Sequence, residues 1–172
     1  MKAIKVFLFL LVIVVIVIFV GLINNNREKI IFLECIDGDT ARFIINNKTE
    51  SVRFLGIDAP EYTKEKEKYG YEASMYTCSL LEKATDIYIE YDINSDRRDK
   101  YNRVLGYVFV DNNNLSELLL SSGYAEVKYI YGDYKYIDDL CLKQDEAYRN
   151  RLGIWSINSN EYYNNYCYLN NY

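Results

Sequence analysis

The sequence predicts a small α+β domain, mainly β, in which five short strands form a barrel and three helices pack against it. Three observations support this fold class: short runs rich in Ile, Val and Tyr, amphipathic stretches of helical period, and turn residues between them. The 172 residues leave room for one compact domain plus appendages. Half of the residues are hydrophobic, so we expect a buried core.

Five segments have the length and composition of strands, at residues 30–35, 40–45, 51–55, 87–91 and 104–110. A tight Asp37-Gly38 turn follows the first segment. The second and third segments form a predicted hairpin across Asn46-Asn47-Lys48. The first three strands therefore precede the first helix, and the last two follow it.

Three segments have helical spacing, at residues 69–83, 115–122 and 137–152. In the first, Ala73, Tyr76 and Leu80 fall on or near one face. Gly123 and Gly153 end the second and third helices. The order of three strands, one helix, two strands and two helices suits a barrel of the oligonucleotide-binding class.

The chain divides into an N-terminal segment at 1–26, the domain at 27–156 and a tail at 157–172. Lys2 and Lys5 precede an uncharged apolar run of 18 residues at 6–23, which is just long enough to span a bilayer. We expect an uncleaved signal anchor or, as the second alternative, a cleaved signal peptide, and either would place the domain outside the cytoplasm. A buried core helix is the least favoured alternative, because the run has no polar face to meet solvent. The tail is mostly Asn, Tyr and Ser, so we expect it to be disordered, with no function assigned.

The composition excludes whole classes of active site. The chain has no histidine, which rules out imidazole metal ligands and Ser-His or Cys-His catalysis. Hydrolysis must then rest on carboxylates, Arg, Lys, Tyr or a metal held by oxygen ligands. A net charge of −5 disfavours a general nucleic-acid binder, unless a divalent cation and local Arg and Lys face the polyanion.

The four cysteines are widely spaced, at Cys35, Cys78, Cys141 and Cys167. They contain no Cys-x-x-Cys pair, so a zinc site is not expected. Buried thiols and one or two disulfides both fit the spacing, and sequence does not choose between them.

Four segments combine residues of catalytic type, namely IDGDT at 36–40, RFLGIDAPE at 53–61, DRRDKYNR at 96–103 and YIY at 129–131. Singly, each also fits an ordinary role: a turn, a strand end, a solvated hairpin loop and packed tyrosines. In the second segment, Pro60 restricts Ala59 to an extended conformation, from which its carbonyl can point towards a cation.

Together with KYGYEAS, DKYNRVLGYV, SGYAEVKYIY and LGIWS, the DGDT and RFLGIDAPE segments resemble the staphylococcal nuclease family. The pieces occur in family order with close to family spacing and cover nearly all of residues 29–156. The resemblance implies a five-stranded oligonucleotide-binding barrel with three helices. It also implies a calcium-dependent nuclease acting on DNA and RNA.

The resemblance assigns a role to each matching position. Asp39 and Asp58 match the carboxylate ligands of the calcium ion, and Ala59 matches a backbone carbonyl ligand. Glu61 matches the carboxylate that positions or deprotonates the attacking water. The two guanidinium groups on the scissile phosphate are matched by Arg53 and Arg103. The groups that hold a terminal phosphate or stack on a base or sugar are matched by Lys100, Tyr101, Tyr129 and Tyr131.

Two other classes of function remain as alternatives. The same barrel can hold single-stranded nucleic acid without cutting it. A membrane-tethered interaction protein is the third class, but it leaves the paired arginines and carboxylates unexplained. The loop at 62–68 is shorter than in the family and its lysines alternate with Glu, so we expect weak, salt-sensitive substrate binding. We expect a monomer with no obligate protein partner.

Overall fold

The computed structural model describes residues 27–63, 66–157 and 166–169 of the chain. The predicted signal anchor or signal peptide at 1–26 lies outside these residues. None of the helices that the structure describes is long and apolar enough to cross a membrane.

The described residues form an α+β fold, as predicted. The strands are β1 Arg27–Lys29, β2 Ile31–Asp37, β3 Thr40–Ile45, β4 Lys48–Phe54, β5 Ile57–Asp58, β6 Ile87–Glu90, β7 Val104–Val110, β8 Asn113–Asn114 and β9 Glu126–Val127. The helices are α1 Gly70–Lys83, α2 Leu115–Ser121, α3 Ile137–Arg149 and α4 Tyr166–Leu169, with a 3₁₀ turn at Gly153–Ser156.

The two edge strands of the main sheet, β1 and β2, belong to the same segment of the chain. Its strands pair in the order β1-β6-β7-β4-β3-β2, and β8 adds to β7. Strands β1 and β2 are consecutive parts of one extended segment, divided at Ile30, whose N–H donates to the Ile87 carbonyl across 3.0 Å. One half of this segment therefore pairs with β6 and the other half with β3. This circuit is consistent with the predicted oligonucleotide-binding barrel.

The helices cover the sheet through buried faces. Helix α1 lies on β2, with Ala73, Thr77 and Leu81 buried. The Thr77 hydroxyl donates to the Gly38 carbonyl across 2.6 Å, which ties α1 to the turn between β2 and β3. A Cys35–Cys78 disulfide with a Cα–Cα distance of 5.7 Å links the same two elements.

All five predicted strands occur, although their ends shift by a few residues. The two-residue strands β5, β8 and β9 were not predicted, because so short a pairing has no periodic pattern. Helix α1 begins at Gly70, one residue later than predicted, because Tyr69 has a left-handed φ of 71°. Helix α3 ends at Arg149, before the predicted end at residue 152.

The prediction that the tail at 157–172 is disordered is wrong for four of its residues. Tyr166–Leu169 forms α4, and Cys167 is buried within the hydrophobic core. A disulfide joins Cys167 to Cys141 on α3, with a Cα–Cα distance of 5.4 Å. This covalent link holds a polar segment that lacks helical periodicity of its own. Residues 158–165 and 170–172 lie outside the described part of the chain.

Candidate active site

Arg53 is the centre of a cluster formed where three strands end. It lies on β4, opposite Thr40 of β3 and Leu105 of β7. Its side chain is buried, and Nη1 donates to the Ile57 carbonyl across 2.8 Å. Nη2 donates to Asp58 Oδ1 across 2.7 Å, and Nη1 lies 2.9 Å from Asp39 Oδ2. One guanidinium thus draws two predicted metal ligands to the same point.

Asp39 is held by the close approach of the β2–β3 turn to the residues after β5. A Cβ added to Gly38 would lie 2.7 Å from the Cβ of Ala59 and 3.0 Å from that of Ala73, so only glycine allows this approach. The Ala59 N–H donates to Asp39 Oδ2 across 2.8 Å, and the Thr40 hydroxyl donates to Oδ1 across 2.9 Å. The DGDT segment is therefore more than a surface turn.

The two carboxylates have different surroundings. Asp39 is 7% exposed, and burial raises the pKa of its carboxyl, while the Arg53 guanidinium opposes that rise. Asp58 lies at the end of β5, and its side chain is 26% exposed. Asp39 therefore depends on nearby positive charge to remain ionised.

This donor set fits a hard cation. Asp39 and Asp58 provide carboxylate oxygens at one point, and the backbone of the adjacent Ala59 is drawn to it by the Asp39 hydrogen bond. Calcium takes several oxygen ligands, which include carboxylates, carbonyls and water. Within the described residues, no group of three or more Asp, Glu, Cys or His side chains could hold a metal ion. An ion held here would therefore need carbonyl or water ligands beside the two carboxylates.

Glu61 lies three residues after Asp58, in an exposed loop whose backbone is fixed. Its N–H donates to Glu67 Oε2 across 2.8 Å, and the Glu67 N–H donates back to its carbonyl across 2.9 Å. Helix α1 begins close to the Glu61 carbonyl. A Cβ added to Gly70 would lie only 2.4 Å from its oxygen. These contacts fix the Glu61 backbone against Glu67 and the start of α1.

Arg103 is positioned by a hairpin loop that precedes β7. Its Nε donates to Asp99 Oδ2 across 2.6 Å, and its N–H donates to Oδ1 across 2.9 Å. Burial alone raises the pKa of Asp99, but the hydrogen bonds from Arg103 lower it overall. Arg103 lies two residues before Leu105, which is the partner of Arg53 in the parallel pairing of β4 with β7.

The predicted substrate-binding residues fall into two groups. The 68% exposed ring of Tyr101 lies 5.0 Å from Lys100 Nζ and 5.5 Å from Arg103 Cζ. Tyr129 is half-exposed, and its ring centroid lies 5.8 Å from Arg53 Cζ. Tyr131 is 82% exposed. Tyr129 has a left-handed φ of 60°, so the backbone is not extended at this residue.

Sequence reasoning missed Lys128. Strand β9 pairs with β5, with Glu126 opposite Asp58, and this brings Lys128 Nζ within 3.0 Å of Asp58 Oδ2 and 2.8 Å of Glu126 Oε1. Burial by itself lowers the pKa of Lys128, but the hydrogen bonds to both carboxylates raise it. The Glu-x-Lys spacing just before Tyr129 was the only signal in the sequence, and alone it indicates no site.

The family model of staphylococcal nuclease homologues matches residues 51–157. The chain is 39% identical to endonuclease YncB of Bacillus subtilis over 77% of this chain and 65% of that protein. It is 40% identical to the prophage-derived endonuclease YokF of the same species, over 72% of this chain and 42% of that protein.

The thermonuclease of Staphylococcus hyicus is 32% identical, over 79% of this chain and 80% of that protein. The match spans less than two thirds of the length of the two Bacillus endonucleases. The matched residues include Arg53, Asp58 and Arg103, whereas Asp39 lies before them. The chain belongs to the staphylococcal nuclease homologue family.

Proposed function

We propose that this protein is a calcium-dependent nuclease that hydrolyses phosphodiester bonds of DNA or RNA outside the cytoplasm. The observation that carries the proposal is the convergence of Asp39 and Asp58 on the guanidinium of Arg53. This centre combines oxygen ligands for a hard cation with a fork that binds phosphoryl oxygens. Family relatives with the names endonuclease and thermonuclease support the same activity.

The two arginines neutralise the substrate. A phosphodiester is anionic, so it repels an attacking water until the charge on its oxygens is compensated. Arg53 and Arg103 bind those oxygens, and each is already oriented by acceptors on the protein, namely Ile57 and Asp58 for the first and Asp99 for the second. A bound calcium ion supplies Lewis-acid neutralisation of the same charge.

Glu61 acts on the nucleophile. Its carboxylate orients a water molecule and accepts a proton from it while the water oxygen bonds to phosphorus. The bond from phosphorus to the leaving oxygen then breaks, and that oxygen takes up a proton from solvent. The paired hydrogen bonds with Glu67 fix the Glu61 backbone, so the carboxylate starts from a defined place.

Exposed aromatic rings provide a surface for the nucleotides on either side of the cut. Tyr129 lies beside Arg53 and Tyr101 lies beside Arg103 and Lys100. Base stacking on aromatic rings tolerates any sequence, and nearby cations hold the backbone. Such a surface suits a nuclease with little sequence preference that acts on single strands.

Two disulfides support a location outside the cytoplasm. Cys35 is bonded to Cys78 and Cys141 to Cys167. Structural disulfides are typical of oxidising compartments. Export or anchoring through residues 1–26 would bring the domain there, where calcium is also plentiful.

The proposal is tested by incubating the full chain with labelled single-stranded DNA in millimolar calcium, with and without a chelator. We expect cleavage that the chelator abolishes and that Asp39→Asn reduces strongly. Asp138→Asn, an exposed position on α3, is the matched control and should cleave like the unchanged protein. Binding without cleavage would instead indicate a single-strand binding module. Cleavage that the chelator leaves intact would exclude calcium as the required ion.

A further inference from the structure

Lys128 places a third positive charge at the carboxylate cluster. Both oxygens of Asp58 contact a cation: Oδ1 lies 2.7 Å from Arg53 Nη2, and Oδ2 lies 3.0 Å from Lys128 Nζ. The backbone holds this arrangement, because the Lys128 N–H donates to the Gly56 carbonyl across 3.1 Å. The β5–β9 pairing therefore places the Lys128 backbone where its side chain reaches Asp58.

Glu126 opposes the charge of Lys128. Its Oε1 lies 2.8 Å from Lys128 Nζ, and its backbone lies opposite Asp58 in the β5–β9 register. The lysine amine is thus shared between a carboxylate that we assign to the metal and one that we do not. Half of the Lys128 side chain is exposed, so the amine can turn towards Glu126 when Asp58 takes another ligand.

We propose that Lys128 sets the calcium affinity of this site by competing for Asp58, and that Glu126 moderates the competition. The inference rests on the proposed calcium site at Asp39 and Asp58. A calcium ion bound to Asp58 would lie about 2.4 Å from a carboxylate oxygen, so the lysine charge would be only a few ångströms away. Repulsion at this distance weakens ion binding by roughly tenfold, even in a medium close to water.

The two residues should therefore act in opposite directions. Lys128→Met keeps the aliphatic stem and removes the charge, so calcium should bind about tenfold more tightly. Glu126→Gln removes the carboxylate that competes with Asp58 for Lys128, and it also removes a negative charge near the site. Both effects disfavour a bound cation, so calcium should bind severalfold more weakly. A salt bridge that only stabilised the fold would give no such pair of opposite changes.

The test is a calcium titration of the full chain by calorimetry, without nucleic acid, on the unchanged protein and both variants. Lys143→Met is the matched control, since Lys143 pairs with Glu146 on α3 and should leave calcium affinity unchanged. Thermal unfolding of each variant checks that it is folded.

The outcomes separate this inference from the proposed function. Tighter binding in Lys128→Met and weaker binding in Glu126→Gln would support the inference. If the unchanged protein binds calcium and cuts DNA in a calcium-dependent way, but Lys128→Met binds no more tightly, the competition is excluded and the proposed function stands. If the unchanged protein binds no calcium, the proposed function and the inference both fail.

Discussion

Arg53 Nη2 donates to Asp58 Oδ1 across 2.7 Å, and the other terminal nitrogen of the same guanidinium lies 2.9 Å from Asp39 Oδ2. We therefore expect Arg53 to stabilise the fold as well as to take part in the proposed chemistry. Asp39 is almost fully buried, and its ionised form depends on this positive charge.

Arg53→Ala should lower both activity and stability. Loss of one electrostatic contact to the reacting phosphate costs about 2.7–4 kcal/mol in comparable sites, so we expect the cleavage rate to fall at least about a hundredfold. Removal of one partner from a buried ion pair costs about 3–5 kcal/mol of the free energy of unfolding. Urea denaturation and single-turnover cleavage measure the two effects. Arg149→Ala, which removes an exposed arginine paired with Asp145 on α3, should change neither appreciably. Near-normal turnover in folded Arg53→Ala would exclude its role.

Gly70→Ala should displace the loop that contains Glu61, although Gly70 itself lies at the start of α1. The added methyl group would lie 2.4 Å from the Glu61 carbonyl oxygen, so either α1 or the Glu61 loop must move. We expect a loss of about 1–3 kcal/mol in the free energy of unfolding and a slower cleavage step. Glu72→Ala, at an exposed position of the same helix, is the control. Full activity in Gly70→Ala would contradict the expectation that the added methyl group displaces the Glu61 loop.

Both disulfides should stabilise the domain, because each lowers the conformational entropy of the unfolded chain. They close loops with sequence separations of 43 and 26 residues. Loop-closure entropy then gives roughly 4 kcal/mol for Cys35–Cys78 and roughly 3.5 kcal/mol for Cys141–Cys167. Replacing either pair by alanines should lower the urea midpoint, and adding reductant should then have less effect than on the unchanged protein. A midpoint that reductant never shifts would mean that the bonds do not form in solution.

Nucleic-acid binding should depend on salt despite the negative net charge. Arg53, Arg103 and Lys100 offer three phosphate contacts, which predicts a slope of about −2 for log affinity against log salt. Fluorescence anisotropy with labelled single-stranded DNA and Glu61→Gln, chosen to slow cleavage, measures this slope. A flat response would argue against recognition through phosphates.

Sequence reasoning found the elements whose signals are local. Strands β3 and β7 show as runs rich in β-branched and aromatic residues, and Gly123 marks the end of a helix. The cluster of Asp39, Arg53 and Asp58 could be expected because the motifs that carry it are specific. In the structure these three side chains lie in contact with one another through Arg53.

The remaining features depend on contacts between distant residues. The β5–β9 pairing joins two dipeptides with no periodic pattern, so the contact of Lys128 with Asp58 was not visible in the sequence. The disulfide partners could not be assigned either, because four cysteines allow three pairings. For the same reason the tail was predicted to be disordered, although Cys167 anchors part of it to α3.

The most direct test of the account is the single-turnover rate of Glu61→Gln on single-stranded DNA at saturating calcium, with DNA binding measured in parallel. The variant keeps the shape of the side chain but cannot accept a proton as a carboxylate does. We predict a rate at least about a hundredfold below that of the unchanged protein, with DNA affinity changed little. A rate within a few fold of the unchanged protein would contradict the assignment of Glu61 to the attacking water and, with it, the proposed mechanism.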